Sequence, residues 1–210
     1  MRLLALGLVI TAAACGSKSS SGIDAPVIES DAPGTGIDGP AGIVDAPGTG
    51  VDAANASAAD CMSYCTTIQA ACTGTHVQYT SSATCVASCL HYPAGTAGAN
   101  SGSSLACRAT HALLAQGDPN THCVHAGPSG GGTCGATCVG YCAIAAAVCP
   151  TENPPATCAA DCAAISTTPP YTSTIANGDS IECRLHFATL ASTDPATNCV
   201  ETGQNGTQCQ

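Results

Sequence analysis

Cys61-Met62-Ser63-Tyr64-Cys65-Thr66-Thr67-Ile68-Gln69-Ala70-Ala71-Cys72 places Cys61, Cys65, Ile68 and Cys72 at i, i+4, i+7 and i+11. That spacing is one face of an α-helix. A second stretch, Cys138 to Cys149, repeats it with Cys138, Cys142, Ala145 and Cys149. Cysteines four apart on a helix point the same way, so each bridges to another helix more readily than to its neighbour. The two stretches therefore predict short helices held to others by sulfur.

Working outward, sixteen cysteines fall into two sets of eight. The first is Cys61, Cys65, Cys72, Cys85, Cys89, Cys107, Cys123 and Cys134; the second is Cys138, Cys142, Cys149, Cys158, Cys162, Cys183, Cys199 and Cys209. Both read C-x3-C-x6-C, then C-x3-C, then C-x15-C and a last cysteine, separated by gaps of loop-sized variation. Tyr64 and Tyr141, Ala83-Thr84 and Ala156-Thr157, Cys107-Arg108 and Cys183-Arg184, and Asp118-Pro119 and Asp194-Pro195 keep the same register. A duplication is expected, with only Gly135-Ala136-Thr137 between the sets. Eight cysteines allow roughly a hundred pairings, and the sequence does not choose among them. Cys134 and Cys138 lie close enough in sequence to leave a bridge across the boundary open.

The remaining local signals suggest three short helices per set. Asp60 is the expected N-cap of the first, Ser82 of the second, and Ser103 of a third that runs to about Ala115 and stops at Gly117-Asp118-Pro119. A small hairpin is expected between Cys123 and Cys134. The fold class is thus small, disulfide-rich and mainly α, in two tandem homologous units after a disordered tether. The expected divisions are a signal at 1–14, a tether at 15–59, and cysteine-rich domains at 60–135 and 136–210.

Composition explains why sulfur must do this work. Much of the 45% apolar fraction is Ala and Cys; there is one Phe and no Trp. Few large side chains remain to fill a core, and small domains so placed depend on covalent links. The net charge of −10, with four Lys and Arg in the whole chain, leaves nothing to neutralise phosphates, so no nucleic acid partner is expected. An anionic membrane surface is excluded for the same reason.

Residues Leu3 to Ile10 form a short apolar run after Arg2, followed by Ala12-Ala13-Ala14 and Cys15. The run is too short to span a bilayer and has the shape of a secretory signal. With Cys15 and Gly16-Ser17-Lys18 after it, the segment resembles a bacterial lipoprotein signal, departing from it in having Ala12 where Leu is usual. That resemblance implies lipidation of Cys15 and a membrane partner through the N-terminal lipid. It also accounts for the one cysteine left over from an even set. The tether carries Asp31-Ala-Pro-Gly-Thr-Gly-Ile-Asp38, repeated as Asp45-Ala-Pro-Gly-Thr-Gly-Val-Asp52. Its composition cannot bury enough apolar surface to order it, and its acids are too widely spaced for a calcium loop.

Cys107-Arg108, Asp118-Pro119 and His122-Cys123-Val124-His125-Ala126-Gly127-Pro128 resemble uncharacterised Cys-rich repeats of predicted bacterial surface lipoproteins. The likeness covers 61–134 well and 138–209 more loosely. It implies location and architecture and carries no activity.

For chemistry, the Cys-x2-Cys spacing of zinc and redox sites is absent. No nucleophile framed between a strand and a helix is read from the sequence, so no catalytic residues are assigned and no hydrolase is expected. Arg108 and Arg184 are expected to bind a carboxylate such as Asp118 or Asp194, or last-turn carbonyls. The leading expectation is a membrane-anchored interaction or envelope-structural protein with no cofactor and an unknown envelope partner. The alternative is metal or small-ligand binding by His111, His122 and His125, if the third helix packs on the loop after it. The second set has Phe187, Asn198 and Glu201 at those places, which do not build the same site.

Overall fold

A computed structural model describes residues 54–167 and 170–210; the expected signal, Cys15 and the duplicated Asp-Pro-Gly tether segments lie outside the described residues. Helix α1 (Ala58–Ala71) begins at Ser57, whose Oγ accepts from the Asp60 amide. The expected cap, Asp60, sits instead in the first turn, where its charge suits the helix dipole. Helix α2 (Ser82–Cys89) is closed by a capping box between Ser81 and Thr84, one residue before the expected Ser82. Helix α3 (Leu105–Leu114) is capped by Ser104 rather than Ser103.

The chain then makes a fourth helix where a turn was expected. Asp118 accepts from the Thr121 amide, and Pro119 opens α4 (Pro119–Ala126). An acceptor at the N-cap and proline in the first turn are together a helix start. Gly127 ends α4, and a single 3-10 turn (Gly130–Gly132) replaces the expected hairpin. The second cysteine set gives α5 (Thr137–Val148), α6 (Cys158–Ala163), α7 (Ile181–Ala191) and α8 (Pro195–Thr202), the last opened by Asp194 and Pro195 as α4 is by Asp118 and Pro119.

The sulfur bonds follow one order in both sets. In the first they are Cys61–Cys89, Cys65–Cys85, Cys72–Cys123 and Cys107–Cys134. In the second they are Cys138–Cys162, Cys142–Cys158, Cys149–Cys199 and Cys183–Cys209. Each set pairs its first cysteine with the fifth, second with fourth, third with seventh and sixth with eighth. The i, i+4 cysteines of α1 thus rivet it to α2, and the third fixes its end to α4. No bridge joins the two sets.

All five tyrosines are buried. The Tyr64 hydroxyl donates to Ala126 O at 2.6 Å, so it accepts from Tyr79, which in turn accepts from Tyr92. Burial raises all three hydroxyls above the ordinary tyrosine range, and they remain neutral donors. Arg108, 0% exposed, lays its guanidinium 4.1 Å from the centre of the Tyr92 ring. It donates to the carbonyls of Ser104, Gly127 and Pro128, not to Asp118. Arg184 pairs with the exposed Asp179 at 3.0 Å and donates to Cys209 O, not to Asp194. Both aspartates are spent on helix caps.

Residues from both sets share one buried cluster, including Ile68, Tyr92, Ile144, Tyr171 and Leu185. Across it Gln78 donates to Tyr171 O, Ser173 N to Val77 O, and Ser88 and Ser192 hydroxyls meet at 3.1 Å. Gly140 on α5 allows the closest approach: a Cβ there would lie 2.1 Å from Pro128 O.

Candidate metal centre

Helices α3 and α4 are joined by the short Gly117-Asp118 link, and α3 is tied through Cys107 to Cys134 while α4 is tied through Cys123 to Cys72. On this frame His111 projects from α3. His122 and His125 project from α4 at i and i+3, hence from one face. The three imidazoles that the sequence singled out do come together. Each offers a nitrogen, and the three nitrogens lie within 4.8 Å of one another. The ring centroids are 5.1, 5.0 and 6.0 Å apart.

The protons can be placed from partners. His111 Nε2 lies 3.1 Å from Asn100 O. A carbonyl only accepts, so Nε2 carries the proton and Nδ1 a lone pair. His111 Nδ1 is 2.9 Å from His122 Nδ1, so the proton between them belongs to His122. A carbonyl fixing the outer nitrogen of a histidine is the usual support of a metal ligand. Two nitrogens at about 2.0–2.1 Å from a tetrahedral ion stand about 3.4 Å apart; the His111–His122 pair lies at 2.9 Å, and all three nitrogens lie within 4.8 Å of one another.

His125 is held differently. Its Nδ1 is buried and has no hydrogen-bond partner in the protein. Burial, with the neighbouring His111 and His122, lowers its pKa below the ordinary 6.5, which keeps a lone pair available at neutral pH. Gly131, at φ +53°, lies against the ring: a Cβ there would sit 2.8 Å from His125 Cδ2. His111 is buried, and His122 and His125 are half-buried. The Asn100 carbonyl and Gly131 are parts of the site that sequence reasoning missed. Each acts through the backbone of a loop, and no side-chain pattern marks it.

Two other groups bring three metal-ligating side chains together, Cys107 with His111 and Cys134, and Cys149 with Glu152 and Cys199. Their cysteines are joined in disulfides and have no thiolate to give. In the second cysteine set the matching positions are occupied otherwise. Asn198 donates to Asp194 O at 2.9 Å, Glu201 accepts from the Gln208 amide and the Thr207 hydroxyl, and Phe187 meets the edge of His186.

No curated protein and no solved structure matches this chain. Residues 48–139, which contain the first cysteine set and all three histidines, match the family model of the BfoA family C-terminal domain.

Proposed function

We propose that this is an exported, non-catalytic protein whose disulfide-locked scaffold captures one late first-row transition-metal ion, such as Zn2+, Cu2+ or Ni2+, through His111, His122 and His125. The observation that carries the reading is the meeting of three imidazoles within 4.8 Å on two helices, each held by its own disulfide. Imidazole suits these ions, and carboxylate-preferring ions such as Ca2+ and Mg2+ find no acid in the cluster. Eight disulfides suit an oxidising compartment, and no helix among the described residues is long and apolar enough to cross a membrane. Lipid attachment at Cys15 is part of the proposal. The apolar run before it and the pairing of every other cysteine support it. On this reading the chain has two copies of one four-helix scaffold, of which the first binds metal.

The test is calorimetric titration of the full oxidised chain with Zn2+, Cu2+ and Ni2+. One equivalent should bind to the native protein and none to His122→Asn or His111→Ala. Micromolar-range binding that survives both substitutions, or none in the native chain, rejects the assignment.

A second reading, interaction with an envelope partner or ligand, draws on a cleft of about 510 Å³ lined by Tyr64, Leu105, Ala109 and Leu113. Leu113 is 60% exposed beside it. A Leu113→Asp chain that still recovers the same envelope partners by cross-linking would remove that support.

A further inference from the structure

We infer that an ion held by His111, His122 and His125 keeps one coordination position for an exchangeable external donor, and that this donor is a small anion. The inference rests on the metal reading above and concerns what that site does beyond holding an ion.

Three features lead there. First, the protein runs out of ligands. Among the described residues, the only other ligand types grouped with His111 are Cys107 and Cys134, and both are consumed in one disulfide. Asp118, the acid that opens α4, is turned to the Thr121 amide as its cap. Four-coordinate structural sites close all positions with protein donors; three protein donors leave a position for water or an incoming ligand. Second, the site has an approachable side. His111 is buried, its outer nitrogen is occupied by Asn100 O, and Gly131 lies against His125, while His122 and His125 keep partial exposure. Third, the charge is uncompensated. Three neutral imidazoles leave a divalent ion its full charge, so a negative donor completes the shell better than a neutral one. Binding of the ion displaces the proton that His122 places between the two Nδ1 atoms; in the neutral ring that proton moves through water to His122 Nε2, which frees the Nδ1 lone pair and leaves the imidazole neutral.

The experiment uses the full oxidised chain loaded with Co2+, whose visible absorption reports coordination, and titrates it with sodium azide. The expected result is a saturable shift of the Co2+ bands with one equivalent of the ion retained after desalting. His111→Ala should lack the bands altogether, assigning them to this site. Bands that stay unmoved in a large excess of azide, or azide that strips the ion from the protein, overturn the exchangeable position and leave the metal reading standing. Failure of Co2+, Zn2+, Cu2+ and Ni2+ alike to bind overturns both.

Discussion

The Tyr64 hydroxyl donates to the carbonyl of Ala126 at 2.6 Å, tying the middle of α1 to the last turn of α4 beside His125. Tyr141 repeats the contact with Thr202 O at 2.6 Å in the second set, where its one hydroxyl proton is shared between that carbonyl and Asn153 Oδ1. This is why a tyrosine stands before the second cysteine of both sets. Removing the hydroxyl leaves a buried carbonyl without its donor, at a cost of about 1–3 kcal/mol. Tyr64→Phe and Tyr141→Phe should lower the urea midpoint to similar extents. Only Tyr64→Phe should also weaken metal binding, because only that contact holds the helix carrying His122 and His125. Equal effects on metal affinity would show that the tie has no role in placing the histidines.

The disulfides should not be equal in value. Cys72–Cys123 spans 51 residues and Cys65–Cys85 spans 20. Chain entropy alone assigns them about 4 and about 3 kcal/mol. The shorter bridge is also nested inside Cys61–Cys89, so it closes only the small ring that remains and is worth less still. Paired alanine substitutions at Cys72 and Cys123 should therefore destabilise the chain more than those at Cys65 and Cys85. All four sulfurs are buried to the same degree, so cavity terms do not explain a difference. Urea unfolding of the two double variants checks the order, and the reverse order would reject the loop argument.

Much of this was legible because sulfur and helix periodicity act locally. The helical faces of α1 and α5, the two sets of eight and the histidine cluster can all be seen in residue spacing. The pairing order cannot, since it depends on how α2 and α4 lie against α1 in space. Helix α4 was hidden by a choice between two readings of Asp118-Pro119. As a pair they mark a turn, and only the apolar and capping pattern after them makes a helix start. The cap Ser81 stands one residue before the expected serine and Ser104 one residue after it, in runs of serine where the neighbours are equivalent until the helix packs. Arg108 gave no sign that it is fully buried without an acid, because its acceptors are backbone carbonyls that every residue possesses.

Acid should loosen the fold. Burial lowers the pKa of His186 below the ordinary 6.5, partly offset by the Ser173 backbone, and its Nδ1 is buried without a partner. His91 is lowered for the same first reason. A histidine with a depressed folded pKa takes up protons in the unfolded chain first. Its neutral form therefore leaves stability intact above about pH 6.5, and stability falls as the pH drops below that toward the folded value. The urea midpoint should decline between about pH 7 and pH 5. His186→Phe, which cannot titrate, should show a shallower decline. A slope unchanged by that substitution would place the acid sensitivity elsewhere.

Metal binding should be visible as stability as well as heat. An ion that binds only the folded chain stabilises it by about 2.7 kcal/mol at a free concentration about 100 times Kd, or roughly 5–10 °C in melting temperature for a unit of this size. His122→Asn is the informative variant. It installs the residue that the second set carries at the matching place, on a half-buried helix surface, so the fold should survive while the ligand is lost. The native chain should gain this shift with Zn2+ or Ni2+ and bind one ion, not two. The second set offers Phe187, and its Asn198 and Glu201 are already engaged by Asp194 O, and by the Thr207 hydroxyl and Gln208 backbone amide. A stoichiometry of two, or a thermal shift that persists in His122→Asn, would mean that the ion sits somewhere other than between α3 and α4.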